Sequence, residues 1–274
     1  MISKEATMGR IGRSFQLVGQ SYRILMRDKA LMILPLISGA VMLAAVSVVV
    51  LSFGLSAARV QRYGPESYLP LFAIYIVTYA IGIFFQAAVV AGATERMRGG
   101  DPSVRSALAA AFRRIGPILM WAVVAATVGM LIRAIHNRVG FIGKIIASFV
   151  GAAWSLATFF VVPVLVLEDR SVGESFNRSV SVFKQTWGET VAGGVNIGVA
   201  AMCAWLTLVL IVGLLASVVG PLALVVFAVG GIFLLVFFSA LDGVFIASLY
   251  RYATDGHAAS GFDQTLLDQA FVPK

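Results

Sequence analysis

The sequence predicts an all-α polytopic membrane protein: six transmembrane helices, amphipathic helices leading into them on the cytoplasmic side, and both termini inside. Three observations carry this. Hydrophobic residues make up 59% of the 274 and charged residues only 12%, against about 45–50% and about 25% in soluble domains. Uncharged runs recur at bilayer length. Lys and Arg gather in alternate loops. A chain of this size cannot hide so much apolar surface from water and still present a polar coat. That excludes a soluble globular enzyme, a disordered chain and a fibrous repeat.

The lead-in comes first. In residues 1–29, Phe15, Val18, Tyr22 and Leu25 recur at helical steps, flanked by Arg10, Arg13, Arg23 and Arg27. Such a helix lies in the head-group plane with its apolar side down and its arginines on lipid phosphates. A hydrocarbon core of ~30 Å takes about 20 helical residues, so the run 30–58 holds the first span, at about 31–54. Ser56-Ala57-Ala58 loosely resembles a signal cleavage site, but the apolar run before it is too long for a signal peptide, and a retained signal anchor is expected.

The second span falls at about 69–92. Asp101-Pro102 then reads as the cap and first turn of another cytoplasmic helix. Its stripe is Val104, Leu108, Ala111, Phe112 and Ile115, beside Arg105, Arg113 and Arg114. Spans three and four follow at about 116–135 and 145–167. Phe176, Val180, Phe183 and Trp187 form a third stripe with Arg178 and Lys184 nearby. The run 190–241 is long enough for two crossings. Gly220-Pro221 divides it into spans at about 191–219 and 222–247. Residues 30–254 thus form the transmembrane domain. Residues 255–274 form a cytoplasmic tail with a short apolar stripe at Phe262, Leu266, Leu267 and Phe271. None of these runs alternates, so barrel strands are excluded, and helix is the remaining way to satisfy a backbone in lipid.

With the N-terminus inside, 16 of the 21 Lys and Arg fall on the inner side and 5 outside: Arg59, Arg62, Arg133, Arg138 and Lys144. This bias sets both termini in the cytoplasm. The net charge of +8 sits in short clusters beside apolar runs. It reads as orientation and contact with anionic head groups, not as nucleic-acid binding.

The aromatic–basic pairs Tyr22-Arg23, Phe112-Arg113 and Phe183-Lys184 each shortly precede a span. They predict a threefold unit of surface helix plus hairpin. Inverted repeats, the commoner mark of a secondary transporter, are not visible.

Few residues offer chemistry. Asp242 is the carboxylate inside a span, and an intramembrane acid is a functional hypothesis by default. Its position, about 30 Å along the sixth span, places it near the inner boundary. Gln86 and Asn196 are amides within spans, where amides join helices. Together with Asp242 they form a candidate polar site. Gly194-xxx-Gly198 and Gly151-xxx-Ser155 signal close helix approach. Pro163 leaves the carbonyl of Phe159 without its helical donor and predicts a kink, a candidate hinge. Glu174 and Arg178 stand in the favourable order for a helical ion pair. Cys203 is the lone cysteine, and His136 and His257 are far apart. No paired-histidine helix, nucleophile arrangement or phosphate loop is present. No catalytic residue, metal or cofactor is therefore expected.

Three stretches carry a resemblance. One is Gly9 to Ser14 with Ser21-Tyr22-Arg23, Asp28-Lys29 and Leu34-Pro35-Leu36-Ile37-Ser38-Gly39. The second is Val162-Pro163-Val164 through Glu168-Asp169-Arg170 to Glu174-Ser175-Phe176-Asn177-Arg178-Ser179. The third is Leu249-Tyr250-Arg251-Tyr252-Ala253 with the ending Ala270 to Lys274. Together they are similar to an uncharacterised bacterial and archaeal family of six-span integral membrane proteins, a domain of unknown function. The resemblance implies a prokaryotic plasma-membrane protein and transfers no catalytic residue.

The functional expectation is an integral membrane protein without catalytic chemistry. It would be an accessory, scaffolding or lipid-contacting subunit whose partners are membrane lipids, including anionic head groups, and other membrane proteins, with no nucleic acid. The alternative is a small-molecule or lipid transporter with a polar site from Gln86, Asn196 and Asp242.

Overall fold

The structure is a computed structural model that describes residues 10–52 and 68–255. Within its helices, the side chains of 10–17, 68–71, 187–190, 192–193 and 217–219 lie outside the description. The sequence expectations for Arg59, Arg62, the tail stripe and the cleavage motif also fall outside it, as do those for the side chains of Arg10, Arg13, Phe15 and Trp187. Among the described residues 91% are helical and none lies in a strand.

Nine helices are described: α1 (Arg10–Arg27), α2 (Lys29–Ser52), α3 (Tyr68–Met97), α4 (Val104–Arg113), α5 (Ile115–Arg138), α6 (Phe141–Ala157), α7 (Val161–Leu167), α8 (Val172–Val219) and α9 (Leu222–Asp255). Six stretches are long and apolar enough to cross a membrane: Lys29–Ser52, Phe72–Met97, Ile115–Arg138, Phe141–Leu167, Gly194–Ala216 and Leu222–Asp255.

The breaks between helices have local causes. Asp28 alone separates α1 from α2. Its Oδ1 accepts the Ala30 N–H at 3.3 Å, so it caps α2. Arg114 alone separates α4 from α5. Gly220 takes φ +56 between α8 and α9, the left-handed geometry that a side chain resists, and Pro221 cannot continue the preceding helix. The third lead-in differs from expectation. It is not a separate surface helix but the first part of α8, 48 residues without a break. That is about 70 Å, more than twice a hydrocarbon core.

Two compact units emerge, each assembled from separate stretches. The first comprises residues 1–35, 92–104 and 184–274. Here α1 packs on α9, and Tyr22 meets Phe237 edge-on at 6.0 Å. The later half of α8 lies close on α9: a Cβ at Gly230 would sit 2.7 Å from Leu208 Cδ1, and one at Gly231 3.0 Å from Trp205 Cη2. The expected close approach at Gly194 and Gly198 is absent, since a Cβ there would meet nothing within 4 Å among the described residues.

The second unit comprises 36–91 and 105–183. In it α5 packs on α6 and α7. Trp121, Trp154 and Phe176 form a continuous stack, with centroids 5.9 and 5.8 Å apart. A Cβ added at Gly151 would stand 3.5 Å from Ile132 Cγ2, so α5 and α6 lie close there.

The residues buried in protein coincide only in part, at Leu25 and Ala111, with the stripes expected to face lipid. On α8 the fully buried residues are Ser175, Ser179, Val182 and Thr186, while Phe176, Val180 and Phe183 are half-buried. On α4 they are Ala107 and Ala111, with Phe112 59% exposed. On α1, Ser21 and Leu25 are buried and Tyr22 is exposed. The residue just before each aromatic–basic pair, Ser21, Ala111 and Val182, is completely buried. This register is shared by all three predicted units. Small side chains let backbones approach, whereas a large apolar side chain gains nothing by leaving lipid for protein.

Candidate functional site

The fourth span is interrupted where Pro163 predicts a kink. Residues 158–160 form a turn between α6 and α7. Val161 N–H turns to Thr158 O at 3.1 Å, so the Ala157 carbonyl loses its helical donor. Ser179 on α8 repairs the gap. Its hydroxyl donates to Ala157 O at 2.7 Å and accepts the Phe160 N–H at 3.0 Å. A helix break buried in a membrane protein must be satisfied by neighbours, and one completely buried hydroxyl does this from both sides. A side chain bonded across both edges of the break holds it in one geometry.

At the far end of α7 the last carbonyls also need donors. Arg114 supplies them. Its Nε donates to Leu165 O at 2.9 Å, and its Nη2 to Arg170 O at 2.9 Å and Glu168 O at 3.5 Å. Its Nη1 pairs with Asp169. A guanidinium at a helix C-terminus also meets the negative end of the dipole. Around it, Arg178 binds Glu168 at 3.2 Å, and Arg170 pairs with the same carboxylate.

The expected Glu174–Arg178 pair is thus replaced. Arg178 reaches back to Glu168, and Glu174 closes a capping box. Its Oε2 accepts from Ser171 N–H at 2.9 Å and the Ser171 hydroxyl at 2.8 Å. These bonds, the backbone one first, hold the Glu174 carboxyl below its ordinary value.

In the first unit, Arg96 performs a similar task. It donates to the Arg27 carbonyl at 3.5 Å and to Gly100 O at 3.2 Å. It pairs with Asp28 and Asp101, each at 3.3 Å. The Asp28 contact is an ion pair without an aligned hydrogen bond, and Asp28 is almost wholly buried. A short polar residue before an apolar run is the signal for such a cap. In the sequence Asp28 stands only among the residues of the resemblance.

A groove of about 350 Å³ lies among α3, α5 and α6 in the second unit. Tyr75 and Tyr79 form one wall. Their hydroxyls are 3.3 Å apart, with Tyr75 donating, and their rings lie 4.8 Å apart. Gly129 makes room for them: a Cβ there would stand 3.1 Å from the Tyr75 oxygen. The Arg133 guanidinium covers the Tyr75 ring at 5.9 Å, a cation–π distance. His136 stands one turn further along α5. Ala147, Gly151, Trp154 and Ser155 form the α6 side.

Gln86 belongs to the second unit, and Asn196 and Asp242 to the first. Gln86 and Asp242 are half-buried and have no hydrogen bond among the described residues. Asn196 is buried, and its Nδ2 has no partner there. The groove is lined by none of these three. Of the expected head-group contacts, Arg23, Arg27 and Arg113 are exposed. Arg114 instead commits its guanidinium to protein acceptors, and a lipid phosphate would have to displace them. No group of three metal-ligating side chains occurs among the described residues.

No curated protein and no solved structure matches this chain. One family does, over residues 66–262, well over half of the length. The six membrane-length helices, and a match that spans five of them, place the chain in that family: it belongs to the family of unknown function DUF6159.

Proposed function

We propose that this is a lipid-contacting, non-catalytic subunit of the plasma membrane, with both termini cytoplasmic. In this reading it serves as an accessory or scaffolding element for other membrane proteins. One observation carries the reading: the apolar surface is turned outward over whole spans. In the fifth span Met202, Leu206, Leu210 and Leu214 are exposed, and in the sixth Leu224, Val229, Phe233 and Leu235. Hydroxyls within the spans are satisfied by their own helix, as Thr127 by Val123 O at 2.7 Å and Thr207 by Cys203 O at 2.8 Å. Side chains arranged this way present acyl-compatible surface.

The exposed arginines before the spans supply the second half of the reading, attraction to anionic head groups. Each contributes about 1 kcal/mol near a charged surface. The double variant Arg23→Gln, Arg113→Gln is therefore expected to lower the enrichment of phosphatidylglycerol around the protein in mixed-lipid nanodiscs, read by mass spectrometry of the recovered lipid. Unchanged enrichment would remove the inner-face part of the proposal. The alternative, a small-molecule or lipid transporter, would gather Gln86, Asn196 and Asp242 around one cavity.

A further inference from the structure

We propose that the groove among α3, α5 and α6 binds one anionic phospholipid of the outer leaflet. Its phosphate would sit on Arg133 and Tyr79, and an acyl chain would lie along Ile132, Ala147 and Gly151. The inference rests on the topology proposed above, which puts the α5–α6 turn outside.

Arg133 carries the argument. It lies five residues before the end of α5, about 8 Å from it. It is exposed and has no carboxylate or carbonyl partner among the described residues. A guanidinium offers five N–H donors, and this near a helix end its side chain reaches the interface where head groups lie. The Arg133 guanidinium carbon lies over the Tyr75 ring at 5.9 Å, and with no carboxylate or carbonyl partner among the described residues its N–H donors remain for an oxyanion. Arg presents them as a fork that fits phosphate.

The neighbours fit the same ligand. The two tyrosine hydroxyls share one hydrogen bond, which uses one of their two protons and leaves the other for an outside acceptor. No acid lines the groove, so nothing in it repels an anion. Tyr75 and Tyr79 lie about 10 and about 16 Å from the start of α3, so their ring bodies stand among acyl chains, with Tyr75 the nearer to the head groups. The rest of the lining includes the apolar or small Ile132, Ala147, Gly151 and Trp154 beside His136, Ser148 and Ser155. A free inorganic anion would use the arginine and waste this wall. A phospholipid uses both.

The test is native mass spectrometry of the full-length protein in detergent, loaded with phosphatidylglycerol, phosphatidylcholine, oleate or inorganic phosphate. The unaltered protein is expected to retain one phosphatidylglycerol through gas-phase activation. Arg133→Gln should cut that occupancy about ten-fold, the loss of one charge-assisted contact. Ser155→Phe, which fills the groove and leaves the arginine in place, should do the same. Arg138→Gln, on the same helix and outside the groove, should change nothing. Equal retention of phosphatidylcholine would overturn the proposal, as would displacement by inorganic phosphate or oleate. So would an Arg138 effect as large as that of Arg133. If Arg23→Gln, Arg113→Gln lowers enrichment in nanodiscs while Arg133→Gln has no effect here, the broader lipid reading stands and the groove falls. The reverse pattern leaves the groove and removes the inner-face reading.

Discussion

Arg114→Gln is expected to be among the most damaging single changes outside the apolar spans. The guanidinium donates to three carbonyls at the end of α7 and pairs with Asp169. Hydrogen bonds from a charged group contribute about 1.5–3 kcal/mol each, and acceptors left partly buried add their own cost. Allowing for the exposure of Asp169, the net loss is about 3 kcal/mol. It should appear as a clear drop in the thermal midpoint of the detergent-solubilised protein. Arg114→Lys should recover only part of it, because an ammonium cannot spread its donors over the same fork. The neighbouring Arg113→Gln should fall within about 0.5 kcal/mol of the unaltered protein, as surface changes do. The two adjacent arginines thus separate: one supports the fold, and the other is free for lipid. A midpoint for Arg114→Gln equal to that for Arg113→Gln would show that the carbonyl contacts do not stabilise the protein.

Ser179→Ala is the second large effect. The substitution deletes one hydroxyl and strands two backbone groups at once, the Ala157 carbonyl and the Phe160 N–H. Phe160 is completely buried and Ala157 half-buried, so the stranded amide costs about 1–3 kcal/mol and the stranded carbonyl less. The result should be a lower midpoint and faster amide hydrogen exchange over 157–161, with the rest of α6 unaffected. Ser148→Ala is the matched control. That hydroxyl is exposed and bonds only to Lys144 O on its own helix, at 2.9 Å, so its loss should be nearly silent. If the two variants behave alike, the break is held by something other than Ser179.

Much of the architecture was legible because it depends on composition along the chain. Runs of bilayer length, the Gly220-Pro221 turn and an interruption near Pro163 follow from rules that act within a few residues. The buried faces were not legible, and the reason lies in the solvent. In water, Phe176, Val180 and Phe183 would mark the core. In lipid, a phenylalanine gains little by burial, and the inward positions go to Ser175, Ser179 and Thr186, whose size and hydroxyls suit helix contact. The aromatic stripes were read as lipid-facing, and the residue buried against protein stands one position before each aromatic–basic pair.

Ion pairing failed for a different reason. Glu174 and Arg178 satisfy the local spacing rule, but Glu168 and Ser171 were also within reach, and a capping box plus a longer-range pair satisfied more groups. The groove is the least legible feature. Tyr75, Arg133 and Ser155 are distant in the chain, and each alone reads as an interfacial residue. Only the packing of α5 on α6 and the missing side chain at Gly129 create the space between them.

The central claim is that this chain crosses a bilayer with the turn before α4 inside and the turn before α6 outside. A cysteine pair tests it directly. In a Cys203→Ala background, Ser103→Cys and Gly140→Cys are introduced separately and treated with a membrane-impermeant maleimide on right-side-out vesicles. The account predicts that Gly140→Cys labels at once and that Ser103→Cys labels only after the membrane is opened. Labelling of both in sealed vesicles, or of Ser103→Cys alone, would contradict it.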